Sequence, residues 1–195
     1  KVSGHLHLAN GTLDTGADYS LEVGLTLEVD GASAVLICND SVLTCGQVDT
    51  ITGIGLYNSG GTLTGGTGDW TISSYRHNGG TSTLTDGTII LNGRESSSGA
   101  SIDIRGAGTT HPAGGKIVMS TKDSDISLNG NNLTLNDLEI LNQDHEVAVD
   151  AASDTLTLAS LTITAGLFDT KQSSKTYACT LTVTGTTTIG NAGAS

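Results

Sequence analysis

Three segments of this chain write one apolar–polar pattern in register: "NNLTLNDLEILNQ" (131–143), "DTLTLASLTITAG" (154–166) and "CTLTVTGTTTIGN" (179–191). Aligned on their first leucine, Leu133, Leu156 and Leu181 superpose, as do Leu135, Leu158 and Val183, with Thr134, Thr157 and Thr182 between them. A second short run follows each: Leu138 and Ile140, then Leu161 and Ile163, then Thr187 and Ile189 after a one-residue slip. Alternation with period 2 sends the Leu/Ile/Val set to one face of a strand and the Thr set to the other. A helix needs a period of 3.6 and far less Gly and Thr.

Weaker echoes precede these three. "NSGGTLTGGTGDWTI" (58–72) lines up with "NGGTSTLTDGTII" (78–90), which sets Leu63 onto Leu84. "GHLHLANGTLDTG" (4–16) and "SLEVGLTLEVDG" (20–31) each read as two short strands split by a Gly or Asn turn. Repeats of about 20–25 residues, each holding short strands and polar turns, build a solenoid, because one coil cannot bury its apolar face without a neighbour. The expectation is all-β: a β-solenoid, specifically a right-handed parallel β-helix. At about 4.8 Å per coil, roughly nine coils stack into a rod on the order of 40 Å long. A β-sandwich is the runner-up, since many short strands with regular turns suggest one too.

The reading treats residues 1–195 as a single β-helix body. Its rhythm breaks at 93–125, read as strands at 102–104 and 117–119 joined by a lateral loop projecting around Pro112. The chain opens on Lys1 and closes on "NAGAS" in the style of the repeat, so it reads as a piece of something longer.

Composition fits a narrow, stacked core. The 27 Gly and only six aromatics leave Leu, Ile and Val to fill it. The recurrent β-branched runs argue against disorder, which Gly, Ser and Thr alone would suggest. Twenty acidic residues against eight Lys and Arg give a formal charge of −12. Nucleic acid and an anionic membrane surface are therefore excluded as expected partners, both needing basic residues. No apolar run of about 18 residues is present. Cys38, Cys45 and Cys179 are too few for a disulfide framework and read as small core residues; a bridge between Cys38 and Cys45 is the alternative.

Candidate chemistry is thin. Asp144, His145, Glu146 and Asp150 form the densest ionisable cluster, and Asp144 with Glu146 is the one pair that can be nominated as acid and base on a sugar. The same alternation is what a solvated turn shows. Asp123 and Asp125 stand D-x-D, without the acidic density of calcium-binding coils. His5 and His7 share one strand face and can hold zinc only if a neighbouring coil adds a third ligand, which the sequence does not identify. Trp70 and Tyr75 with Arg76 can make a sugar-stacking platform. Four scattered basic residues, Arg76, Arg94, Arg105 and Lys116, do not make a lyase subsite. Thr134, Thr157 and Thr182 form a row of the kind that binds ice. Its flanking columns, Asn132/Thr155/Thr180 and Asn136/Ala159/Thr184, are mixed, and Glu139 interrupts the next strand. No catalytic, cofactor-binding or metal residue is assigned, and no cofactor is expected.

The stretch "GLFDTKQSSKTYACTLTVTGTTTIG" (166–190) resembles the Gly/Thr-rich repeats of bacteriophage virion proteins and large bacterial adhesins. The resemblance is close over about 25 residues and loose over the last 65 or so. It implies a non-enzymatic β-helical protein of a virion surface: a capsid decoration (cement) protein, or part of a tail fibre or spike. It also implies assembly with other protein subunits, a homotrimer among them. It carries no site residue with it, because such proteins share a scaffold rather than a site. The alternatives are a secreted or cell-surface adhesin binding glycans through lateral loops, and a polysaccharide-degrading β-helix.

Overall fold

Short alternating runs separated by Gly, Asn and Asp turns fold into strands that pair only with the equivalent run one coil away. The structure, a computed structural model, describes residues 1–17, 19–46, 54–94, 100–120, 124–141, 146–150, 154–170 and 179–190. The first coil holds β1 (Leu6–Leu8), β2 (Gly11–Asp14) and β3 (Leu21–Val23), and the second β4 (Leu27–Val29), β5 (Ala34–Ile37) and β6 (Leu43–Cys45). The third and fourth hold β7 (Leu56–Thr64) with β8 (Trp70–Ile72), and β9 (Tyr75–Thr83) with β10 (Thr88–Leu91). The fifth holds β11 (Ala100–Ile104), β12 (Thr109–Thr110) and β13 (Lys116–Met119). β14 (Ser124–Ser127) with β15 (Leu133–Ile140), and β16 (Glu146–Asp150) with β17 (Thr155–Ile163), follow. The last coil holds β18 (Leu167–Asp169), β19 (Thr180–Val183) and β20 (Thr187–Ile189).

Every strand pairing is parallel, which a β-sandwich of antiparallel sheets does not allow. The chain is a β-solenoid. Its first ladder runs β1-β4-β7-β9-β11-β14-β16-β18 and its last β3-β6-β8-β10-β13-β15-β17, with β20 on β17. Between them lies a middle ladder in two parts, β2-β5-β7-β9-β12 and β15-β17-β19. β7 and β9 each run unbroken from the first ladder into the middle one, whereas β15 and β17 run from the middle into the last. The unbroken corner of the coil therefore changes place part-way along the body.

The threefold repeat stacks as its sequence requires. Leu133 pairs with Leu156 and that with Leu181; Leu138 pairs with Leu161 and that with Thr187, slip included. The inward residues form one apolar cluster running from Val23 to Cys179. Cys38, Cys45 and Cys179 are free thiols buried in or beside it, not bridged.

One expectation needs correction. Leu63 pairs with Ser82, nineteen residues on, rather than with Leu84. The cause is a buried polar corner. Asn58 Nδ2 donates to Ser82 Oγ at 2.8 Å and to the Thr81 carbonyl at 3.1 Å, while its Oδ1 accepts from Gly61 N–H at 2.9 Å. Satisfying that corner fixes the register, because a buried amide left unpaired is costly. The segment around Pro112 lies in the stretch read as a lateral loop. It contains the extra strand β12, and its turn is tied down: Gly115 N–H donates to the Pro112 carbonyl at 3.1 Å, and Gly114 N–H to Asp86 Oδ1 at 2.7 Å.

Candidate functional site

The outward side of the first ladder carries the longest run of charged and aromatic groups among the described residues. Register places His7 beside Glu28, Glu28 beside Tyr57, Tyr57 beside Arg76 and Arg76 beside Asp103. Along the same strands, two residues on, come Asp30, Ser59, Asn78 and Arg105. Alternation dictates this: Leu27, Val29, Leu56 and Tyr75 point inward, so their neighbours point out.

At one end of the run, His7 Nε2 lies 3.4 Å from Asp30 Oδ2. One atom each from His7, Glu28 and Asp30 lie within 4.8 Å of one another. Ser59 Oγ donates to Asp30 Oδ1 at 2.8 Å and lies 3.2 Å from Glu28 Oε1, the alternative acceptor for its one proton. The Ser59 bond, and next the one from His7, hold Asp30 below the ordinary carboxylate range. An open concavity of about 300 Å³ adjoins, lined by His5, His7, Thr26, Glu28 and Tyr57 among others. His5 lies outside the group of mutually close ligand atoms, and its Nδ1 accepts the Thr26 N–H at 3.4 Å.

In the middle of the run the Arg76 guanidinium lies 5.9 Å above the Tyr57 ring, and Asn78 Nδ2 donates to the Tyr57 hydroxyl at 2.6 Å. Partial burial and the nearby Glu28 raise the Tyr57 phenol. Beyond it, Asp103 is fully buried, accepting from Arg76 Nε at 3.1 Å, Arg105 Nε at 2.8 Å and Asn129 Nδ2 at 2.7 Å.

The platform of Trp70 and Tyr75 is overturned. Both rings are buried in the core, Trp70 between Leu43 and Ile89 in the last ladder, and the Tyr75 hydroxyl meets Thr109 Oγ1 at 3.2 Å. Arg76 does face outward, and the aromatic beside it is Tyr57. The Thr134, Thr157 and Thr182 row is in register, and beside it His111, Asn136, Ala159 and Thr184 line a hollow of about 360 Å³. There His111 Nδ1 accepts the Asn136 N–H at 3.0 Å, so the neutral ring carries its proton on Nε2, which is buried without a partner among the described residues. Burial pushes His111 down to about 4.

Asp123, Asp144 and His145 lie outside the described residues, as do the side chains of Glu146 and Asp150, so the nominated acid–base pair has no geometry to judge. Asp125 is described, in β14 beside Ala148.

What sequence reasoning missed is the use made of the carboxylates. Asp14, Glu22, Glu28, Asp30, Asp40, Asp69, Asp86, Asp103, Asp137, Glu139 and Asp154 each bond a residue 19 to 31 positions away, one coil up or down. Lys116 also pairs with Glu139, and that bond holds the Glu139 carboxyl below its usual range. Spacing of acidic residues by one coil was the available signal; it is blurred because the coils differ in length.

Compared with protein-family models, curated proteins and solved structures, the chain matches none.

Proposed function

We propose that this chain is a non-enzymatic structural element of a virion surface, a capsid decoration or tail-fibre component that acts with other protein subunits. The observation that carries the reading is the coil-to-coil use of the acidic residues. Carboxylates that fasten neighbouring coils are held as hydrogen-bond acceptors for backbone N–H, hydroxyl, amide or guanidinium groups. A catalytic carboxylate has to face substrate with a pKa matched to its task. A body fastened by carboxylates from its first coil to its seventh suits a load-bearing or spacing role. The Gly/Thr-rich repeat at 166–190 supports placing that role on a phage particle.

The test is quantitative mass spectrometry of purified native particles. A fixed, high copy number relative to the major shell or tail protein supports the proposal. Recovery of the chain only in the particle-free fraction removes it. The glycan-binding alternative has one observation in its favour, the outward Tyr57 ring with Arg76 above it, and a glycan-array signal lost in Tyr57→Ala would move the reading to an adhesin.

A further inference from the structure

We propose that His7, Glu28 and Asp30 form a binding site for a divalent transition ion of the zinc class, bridging the first two coils. The three side chains come from adjacent parallel strands. His7 stands directly beside Glu28, and Asp30 follows two residues on along the same outward face. Their candidate ligand atoms lie mutually within 4.8 Å.

The separation between His7 Nε2 and Asp30 Oδ2 is compatible with an ion between them. At 3.4 Å it is long for a charge-assisted hydrogen bond, which runs about 2.7–2.9 Å. Two ligands each about 2.1 Å from a tetrahedral zinc are about 3.4 Å apart. The pair thus makes a long hydrogen bond at a spacing that an ion held between the two atoms would also give.

The supporting shell is present as well. Ser59 engages Asp30 through Oδ1, leaving Oδ2 toward the imidazole, and contacts Glu28 through Oε1. Outer hydrogen bonds of this kind orient ligating carboxylates. Among the described residues the ion-pair partner of Asp30 is His7 itself, and the Lys and Arg ion pairs fall on Glu22, Asp103 and Glu139. Two carboxylates with a neutral imidazole would match a dication in charge. One nitrogen and two carboxylate oxygens suit zinc better than calcium, which takes six to eight oxygens. With three protein ligands, a remaining position belongs to water or a ligand atom entering the adjoining concavity.

Titration of the full chain with cobalt(II), read by visible absorption, and competition by zinc, read by loss of that absorption, test the site. Saturation at one equivalent is expected, with His7→Ala abolishing the band and Glu28→Gln weakening uptake by tenfold or more. His5→Ala, whose ring lies outside the group, should bind as the unaltered chain does. Circular dichroism of each variant separates loss of the site from loss of the fold, and Asp30→Asn serves as the second ligand variant if either of the others misfolds. No saturable uptake, uptake undiminished in a folded His7→Ala chain, or loss with His5→Ala alone would overturn the assignment.

Discussion

Arg76 and Asp103 are register partners on adjacent coils, and the carboxylate beneath the guanidinium is 1% exposed. Its other oxygen is closed off by Asn129 from the following coil, so three successive coils meet at one buried anion. Asp103→Ala would remove the carboxylate that Arg76 and Arg105 share. Half-exposed Arg105 can turn to water, which holds the expected cost to about 3 kcal/mol, the low end for a broken buried pair. Urea unfolding checks this, and an unchanged midpoint would remove Asp103 as a fastening point.

The stacked leucines give a contrast within one strand. Leu158, fully buried between Leu135 and Val183, should cost about 2–5 kcal/mol when cut to Ala. Its outward neighbour Thr157 should tolerate Val within about 0.5 kcal/mol. Similar losses at both positions in thermal unfolding would contradict the inward–outward assignment.

Stability should fall between about pH 6.5 and pH 4 in a way that depends on His111. The fold keeps this ring neutral down to about 4, whereas the unfolded chain binds a proton near the ordinary imidazole value of about 6.5. Across that window the unfolded state holds more protons, so acid favours unfolding. His77 shifts downward too, through burial, and adds in the same direction. His111→Asn keeps an acceptor for the Asn136 N–H without the titration, so its melting temperature should depend less steeply on pH. Equal slopes would show that His111 is not held neutral.

Two glycines differ in what surrounds them. A Cβ on Gly66 would lie 1.7 Å from the Asn39 carbonyl oxygen of the neighbouring coil, and backbone cannot yield cheaply. Gly66→Ala should cost about 2–3 kcal/mol. A Cβ on Gly79 meets nothing within 4 Å and its φ is not left-handed, so Gly79→Ala should be neutral or stabilise by about 0.5 kcal/mol. Chemical denaturation of the two variants compares them directly.

Thiol labelling tests the core from another side. Burial pushes the Cys38 thiol up to about 12 and Cys45 higher still. Neither should react with an aromatic disulfide reagent at pH 8 until the chain is unfolded. Rapid labelling of both in the native state would mean that the core between β5 and β6 opens readily.

The sequence by itself determined the class of fold and the register of its last three coils. Leu133, Leu156 and Leu181 repeat so regularly that each can bury only by stacking on the next, and period 2 then sends the threonines out. It also set His5 and His7 on one strand face without identifying a third ligand. What it left open was decided by contacts between coils of unequal length. Leu27 pairs with Leu56 across twenty-nine residues and Leu56 with Tyr75 across nineteen, so no fixed period brings Glu28 and Asp30 to His7 or Asp103 to Arg76. Nor does it show that Trp70 is core and Tyr57 surface, since both alternate in the same way along their strands. Side-chain alternation is a local property of the chain. Which coil lies above which residue depends on where Asn58 and its like turn the corner, and that exists only once neighbouring coils are in place.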